Sequence, residues 1–306
     1  MDISVIIPIY NEEGNIPLLH ERLTKVMQGI GVDYELVFVN DGSVDKSMEL
    51  IKQLSEEDSN IRYIDLSRNF GHQIAVSAAI DKVDGDAVVI IDADLQDPPE
   101  LIKEMYAKMK EGFEVVYAKR KKRSGESYFK LLTAKVFYRL MSKITNFEIP
   151  VDTGDFRIMH HKIVDILRIM PEKSKYLRGQ IAWMGFNQTY VEYDRSARHK
   201  GETGYPFKKM LSFAIDGITS FSNFPLKLIT YFGFIASFVA FIVILYALYS
   251  WYFLDSTNAG WTSTMVSILF IGGVQMIAIG VIGEYLSRMN NNVKNRPLYI
   301  IKESNY

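Results

Sequence analysis

Two long stretches near the C-terminus contain no Asp, Glu, Lys or Arg: LITYFGFIASFVAFIVILYALYSWYFL (Leu228–Leu254) and STNAGWTSTMVSILFIGGVQMIAIGVIG (Ser256–Gly283). About 20 apolar residues suffice to cross a bilayer as a helix. Helices buried in a water-soluble core usually keep a polar face that interrupts such runs. The pair therefore reads as two membrane-spanning helices joined by a short turn, LDSTNAGW (254–261). Lys208, Lys209 and Lys227 flank the pair on one side and Arg288, Lys294 and Arg296 on the other, while the turn has no basic residue. Basic residues favour the cytoplasmic side, so the pattern predicts a hairpin with both ends, and residues 1–227, in the cytoplasm. Trp251, Tyr252 and Trp261 suit the opposite headgroup layer.

Averaged over the whole chain, the composition is that of an ordinary globular protein. Of 306 residues, 48 % are hydrophobic and 23 % charged, and the net charge of −1 gives no general nucleic-acid signal. Cysteine is absent, which excludes disulfides and thiolate metal sites. MDISVIIPIY is too short, and too acidic at Asp2, for a signal peptide. No internal repeat or low-complexity tract is visible.

Along the first half, apolar runs alternate with helical periodicity. Strands are predicted at 3–10, 34–40, 61–67 and 87–92, and helices at 16–30, 47–58 and 71–83. That alternation implies an α/β fold with a parallel sheet covered on both faces. Ligands of such sheets bind beyond the carboxyl ends of the strands. Each polar signature lies at such an end: PIYNEE (8–13), NDGSVD (40–45), SRNFGHQ (67–73) and DADLQD (92–97).

Asp92, Asp94 and Asp97 follow the apolar run AVVII, and like charges so close repel unless a cation sits among them. Oxygen ligands without Cys or clustered His favour Mg2+ or Mn2+. If the strand continued, Asp92 and Asp94 would share a face. Asp97 opens DPPE, a helix-start pattern, and reads as a cap. Asp41, in NDGS, fits a turn equally well. His72 reads first as a capping or packing residue, with a catalytic role as the alternative.

Together the segments PIYNEE, VNDGSVDKS, SRNFGHQ, DADLQDPPE, DTGDFRIM, RGQIAWMGF and RHKGETGYPFKKM, followed by the helix pair, resemble family 2 glycosyltransferases of the GT-A (Rossmann-like) fold. The likeness is greatest to polyprenyl-phosphate glycosyltransferases: bactoprenol glucosyltransferases, dolichol-phosphate mannosyltransferases and aminoarabinose-transferring relatives. It implies a GT-A domain at 1–205, interfacial amphipathic helices at 206–227, two transmembrane helices at 228–286 and a cytoplasmic tail at 287–306. Pro8, Tyr10, Glu12 and Asp41 would line the nucleotide pocket. Asp92 and Asp94, with Gln96, would hold Mg2+ or Mn2+ against the donor diphosphate, easing departure of the nucleoside diphosphate. Arg198, in RHKGETGY (198–205), would reach that diphosphate from a loop able to close over it.

On the acceptor side, the resemblance places Asp155 of DTGDFRIM beside the reacting centre, where a salt bridge to Arg157 is the plainer alternative. A lipid phosphate is already ionised at neutral pH, so a strong base is not required. The basic run KRKKRSGESYFKLLTAKVFYRL (119–140) suits anionic lipid headgroups. Arg120 and Lys130, and then Arg123, align with the family's phosphate-binding positions. FKKMLSFAIDGITSFSNFPLKL (207–228) suits an interfacial helix. The implied reaction is inverting transfer of a hexose, glucose or an N-acetylhexosamine, from a UDP-sugar to undecaprenyl (polyprenyl) phosphate at the cytoplasmic membrane face. A GDP-mannose-dependent enzyme is the alternative. A processive polysaccharide synthase would carry Q-x-x-R-W where this chain has QIAWM (180–184), and a non-catalytic scaffold would have lost DAD. Self-association through the membrane helices is also implied, with Gly272, Gly273, Gly280 and Gly283 allowing close packing.

Overall fold

The computed structural model describes residues 1–121, 153–194, 223–253 and 260–306. Arg123, Lys130 and Arg198 lie outside these residues, as do most of the expected interfacial helix and most of the turn between the spans. The chain divides into two compact units, Met1–Met210 with Arg296–Tyr306, and Leu211–Asn295.

The first unit is built on an eight-stranded sheet. In chain order its described elements are β1 (Ile3–Ile9), α1 (Ile16–Ile30), β2 (Tyr34–Asn40), α2 (Ser47–Glu57), β3 (Ile61–Leu66), α3 (His72–Ile80), β4 (Ala87–Ile90), α4 (Leu101–Lys110) and β5 (Val115–Arg120). There follow β6 (Thr153–His160), α5 (His161–Ile169), α6 (Leu177–Trp183), β7 (Gln188–Tyr193) and, after the second unit, β8 (Ile301–Ser304). The strand order is β7-β5-β6-β4-β1-β2-β3-β8. β6 runs against both its neighbours β4 and β5, and β8 against β3; the other described pairings are parallel.

Alternation explains why both faces are covered. Ile3, Val5, Ile7 and Ile9 of β1 and Leu36 and Phe38 of β2 pack with Leu19, Leu23, Ile51 and Met105 of α1, α2 and α4. Ile6, Val37 and Val39 point the other way, onto Ala75 and Ala79 of α3 and Ile163 and Leu167 of α5. Successive strand side chains face opposite sides, so a strand buried twice must be apolar throughout.

Residues read from the sequence as a tail supply β8. Its backbone pairs Ile64 with Ser304, Ser67 N–H donates to the Ile300 carbonyl at 2.9 Å, and Asn305 Oδ1 accepts from Tyr63 N–H at 2.6 Å. The strand covers an edge that β3 would otherwise leave open.

The second unit contains α7 (Phe224–Phe253) and α8 (Trp261–Val293). Within them, Phe224–Val243 and Phe270–Val293 are long and apolar enough to cross a membrane, with mean hydropathies of 2.1 and 1.4, and neither stretch is buried in the protein.

Candidate active site

The site is assembled at the carboxyl ends of β1, β2, β3 and β4. Pro8 is buried in β1 opposite Val39, while Tyr10, just past the strand, is exposed. The loops after β1 and β2 are stitched together: Asn11 N–H donates to Ser43 Oγ, Glu12 N–H to Ser47 Oγ, and Val44 N–H to Asn11 Oδ1. Glu12 also accepts from the Asn15 side chain through Oε2. Its observed contacts thus hold the loop.

Asp41 is buried beyond β2, with Oδ1 accepting from Phe70 N–H at 2.7 Å and Oδ2 from Gly71 N–H at 2.9 Å. Burial raises its carboxyl pKa, against the pull of those two amides. The chain approaches itself closely here. A Cβ on Gly42, whose φ is +69°, would lie 2.5 Å from the backbone of Arg68 and Asn69. Asp41 therefore fastens the loop after β3 to the loop after β2, a task beyond the isolated turn read from NDGS.

β4 stops at Ile90, so Asp92 and Asp94 sit in the turn after the strand and not on one strand face. Asp94 is buried and its Oδ1 accepts from Gln96 N–H at 3.1 Å, while Leu95 between them holds φ at 58°. A buried leucine in left-handed backbone is strained, and such strain collects at functional sites. Burial pushes the Asp92 carboxyl up to about 6; the nearby His72 pulls it down, and repulsion from Asp155, Asp97 and Asp94 adds to the rise.

Opposite stands Asp155, on β6. Because β6 inserts against β4, pairing Arg157 with Ile90, Asp155 arrives beside the β4 turn from far along the chain. Arg157 Nη2 donates to its Oδ1 at 2.8 Å, and Arg178 Nη2 lies 3.6 Å from the same oxygen. Oδ2 faces His72 Nε2 at 3.3 Å and accepts from Gln73 Nε2, also at 3.3 Å. Burial alone would raise this carboxyl; His72, Arg157 and Arg178 overcome it and hold Asp155 well below the usual carboxylate range. Conversely, burial would lower the His72 imidazole, but Asp155 and Asp92 hold it up at about 9. The salt bridge to Arg157 weighed from the sequence is present, and it belongs to this cluster.

Two readings need correction. Asp97 is not a helix cap: α4 begins at Leu101 with Glu100 preceding it, and Asp97 is buried, accepting from Tyr193 Oη and lying 3.9 Å from Arg120 Nη2. His72 neither caps nor merely packs. Gly71 occupies the cap of α3, and the ring faces two carboxylates, with Nε2 3.6 Å from Asp92 Oδ1. Arg120 also donates to Tyr193 Oη from Nε at 3.3 Å, at the end of β5. His72, Gln73 and Arg178 were not singled out as site residues, although their segments SRNFGHQ and RGQIAWMGF were noticed.

Among the described residues, no group of three or more Asp, Glu, His or Cys side chains gathers as a complete metal cage. The donor set nevertheless fits a divalent cation. Asp92 Oδ1 is enclosed without a hydrogen-bond partner, and its charged form, which burial disfavours, is one that a cation would stabilise. Hard divalent ions commonly take one or two carboxylates and complete their shell with water and substrate phosphates.

Residues 4–167 match the family described as glycosyl transferase family 2, and residues 224–289 match the GtrB C-terminal hairpin. The chain is 40 % identical to the prophage bactoprenol glucosyl transferase homolog of Escherichia coli, over 99 % of this chain and 99 % of the relative. It is 40 % identical to the SfII prophage-derived bactoprenol glucosyl transferase of Shigella flexneri, over 99 % and 98 %. An uncharacterized glycosyltransferase of Bacillus subtilis, YkcC, is 51 % identical over 98 % and 93 %. In fold, mannosyl-3-phosphoglycerate synthase from Rubrobacter xylanophilus superposes with a TM-score of 0.50 at 15 % identity, covering 71 % of this chain and 72 % of that one. With a GT-A-like sheet, carboxylates gathered at its rim and a family match across more than half of its length, this chain belongs to glycosyltransferase family 2.

Proposed function

We propose that this protein is a polyprenyl-phosphate glycosyltransferase, moving a hexose from a UDP-sugar to undecaprenyl phosphate at the cytoplasmic membrane face. The observation that carries this reading is the end-to-end likeness, hairpin included, to proteins named bactoprenol glucosyl transferase. Glucose is accordingly the first donor sugar to test.

In this reading, an ionised phosphate oxygen of the lipid attacks the anomeric carbon as the bond to the UDP oxygen breaks. The electron pair leaves with UDP, and the anomeric configuration inverts. No proton need be removed from the nucleophile. Asp155 is then an orienting group, kept ionised by Arg157, Arg178 and His72 and not itself called on as a base. Asp92 and Asp94, with Gln96, would hold Mg2+ or Mn2+, which would supply charge neutralisation to the departing diphosphate. Asp41 keeps a second lone pair on each oxygen for the nucleoside, alongside Pro8, Tyr10 and Glu12. Arg120 and, from outside the described residues, Lys130, Arg123 and Arg198 would meet the acceptor phosphate and the donor diphosphate.

The return of the chain as β8 supports the topology. If the hairpin spans the membrane, a tail that pairs with β3 must emerge on the side where the sheet lies.

The test uses membranes containing the full chain, incubated with labelled UDP-glucose, UDP-N-acetylglucosamine or GDP-mannose and undecaprenyl phosphate. Label entering the organic phase from a UDP-sugar supports the reading. Transfer from GDP-mannose alone would replace the donor assignment, and no transfer from any donor would end it.

A further inference from the structure

The segment Phe70–Gln73 touches three carboxylates of the site, Asp41, Asp92 and Asp155. Phe70 and Gly71 give their N–H groups to Asp41; His72 faces Asp92 and Asp155; Gln73 donates to Asp155. Gln73 Oε1 also accepts from Leu177 N–H at 3.2 Å, at the start of the helix that carries Arg178 to the same carboxylate. One short stretch thus links the donor-side and acceptor-side halves of the site.

Within it, His72 holds an unusual position. Its Nε2 stands 3.6 Å from Asp92 Oδ1 and 3.3 Å from Asp155 Oδ2. Yet Nε2 and Asp92 Oδ1 are both enclosed and neither makes a hydrogen bond of good geometry. Enclosed polar atoms left with unused bonding capacity are costly, so native structures rarely keep them without a reason. A ring shared between two carboxylates, and nearer to Asp155 than to Asp92, can be released by one and retained by the other.

We propose that His72 is a positioning residue, shared between donor-side Asp92 and acceptor-side Asp155, that a divalent cation arriving at Asp92 drives onto Asp155. The inference rests on the reading of Asp92 as a cation ligand. A cation at Oδ1 takes the approach that Nε2 now faces, and two electropositive groups do not share one oxygen without repulsion. The ring's remaining partner is Asp155, whose orientation becomes fixed once the donor side is filled. Donor and cation would therefore bind before the acceptor.

The experiment is a calorimetric titration of the full chain in detergent with Mn2+ alone, paired with steady-state kinetics in the acceptor. With its competitor removed, His72→Ala is expected to bind Mn2+ about ten-fold more tightly, while losing one hold on Asp155 raises the acceptor KM about five-fold. His72→Gln keeps an N–H for Asp155, and is expected to recover most of the acceptor KM while still binding Mn2+ more tightly than the native chain. Opposite signs for metal and acceptor are the signature. Weaker Mn2+ binding by His72→Ala would make His72 a metal ligand and overturn the proposal, as would unchanged affinity, or no Mn2+ binding by either protein. The Mn2+ titration contains neither sugar nor lipid, so it can succeed even where the transfer assay fails.

Discussion

The carboxylates proposed to serve the donor and the one proposed to serve the acceptor are built into this site on opposite principles. Asp92 and Asp94 follow directly from a parallel strand, and burial, with other carboxylates close by, pushes the Asp92 pKa up to about 6. Asp155 reaches the same place on a reversed strand inserted between β4 and β5, and is surrounded by cations that hold its pKa down. On the proposed reading, a carboxylate held against the cost of its burial is retained for a ligand. A carboxylate neutralised from within also serves the fold. Substitution should separate the two.

The largest effect is expected on the donor side. Asp92→Asn or Asp94→Asn should lower transfer by about a thousand-fold or more, the scale of lost electrostatic stabilisation of a leaving group. Thermal unfolding of the full chain should meanwhile hold its midpoint for Asp94→Asn, and hold or raise it for Asp92→Asn, because a carboxylate whose charge burial disfavours becomes a neutral amide. A marked loss of stability in either would erase the contrast.

Asp155→Asn comes next, with a fall of about a hundred-fold in turnover expected from a misoriented acceptor. Here stability must fall as well. Arg157 is 1 % exposed, and removing its charged partner leaves a guanidinium buried and uncompensated, at a cost of about 3 kcal/mol. Denaturant unfolding checks this, and a fully stable Asp155→Asn would contradict the picture of an internally neutralised carboxylate.

Smaller effects sharpen the roles of the scaffolding. Asp41→Ala strands the Phe70 and Gly71 N–H groups, costing about 2 kcal/mol, and should weaken UDP binding by about ten-fold. A chain ended after Arg296 loses β8 and reopens the β3 edge; its unfolding midpoint should drop by about 5 °C. Lys52→Ala removes only the exposed pair to Glu303, and the midpoint should stay within about 1 °C of the native value.

How much the sequence revealed follows the same division. β1, β2, β3 and β4 alternate with helices in chain order, so the α/β class, the parallel core and the polar signature after each strand were legible from apolar runs alone. The charge-free stretches were legible too, because runs so long and apolar are what crossing a bilayer requires. β6 was not placed, because an antiparallel insertion beside β4 depends on pairing between residues far apart in the chain. His72 and Arg178 were missed as site residues for that reason: each is defined by its distance to Asp155. Asp97 was misread since DPPE has the local form of a helix start, and only the approach of Tyr193 and Arg120 across the sheet gives it another task. β8 was read as tail, its four residues too few to announce a strand without the β3 edge.

The central claim is that a divalent cation at the β4 turn serves the departing UDP while a lipid phosphate displaces it. The most direct measurement is the initial rate of label passing from UDP-glucose to undecaprenyl phosphate with EDTA present, and again after Mn2+ is restored, in the native chain and in Asp94→Asn. The account expects transfer to stop with EDTA, to return with Mn2+ in the native chain, and not to return in Asp94→Asn. Undiminished transfer in EDTA, or a variant that Mn2+ rescues fully, would contradict it.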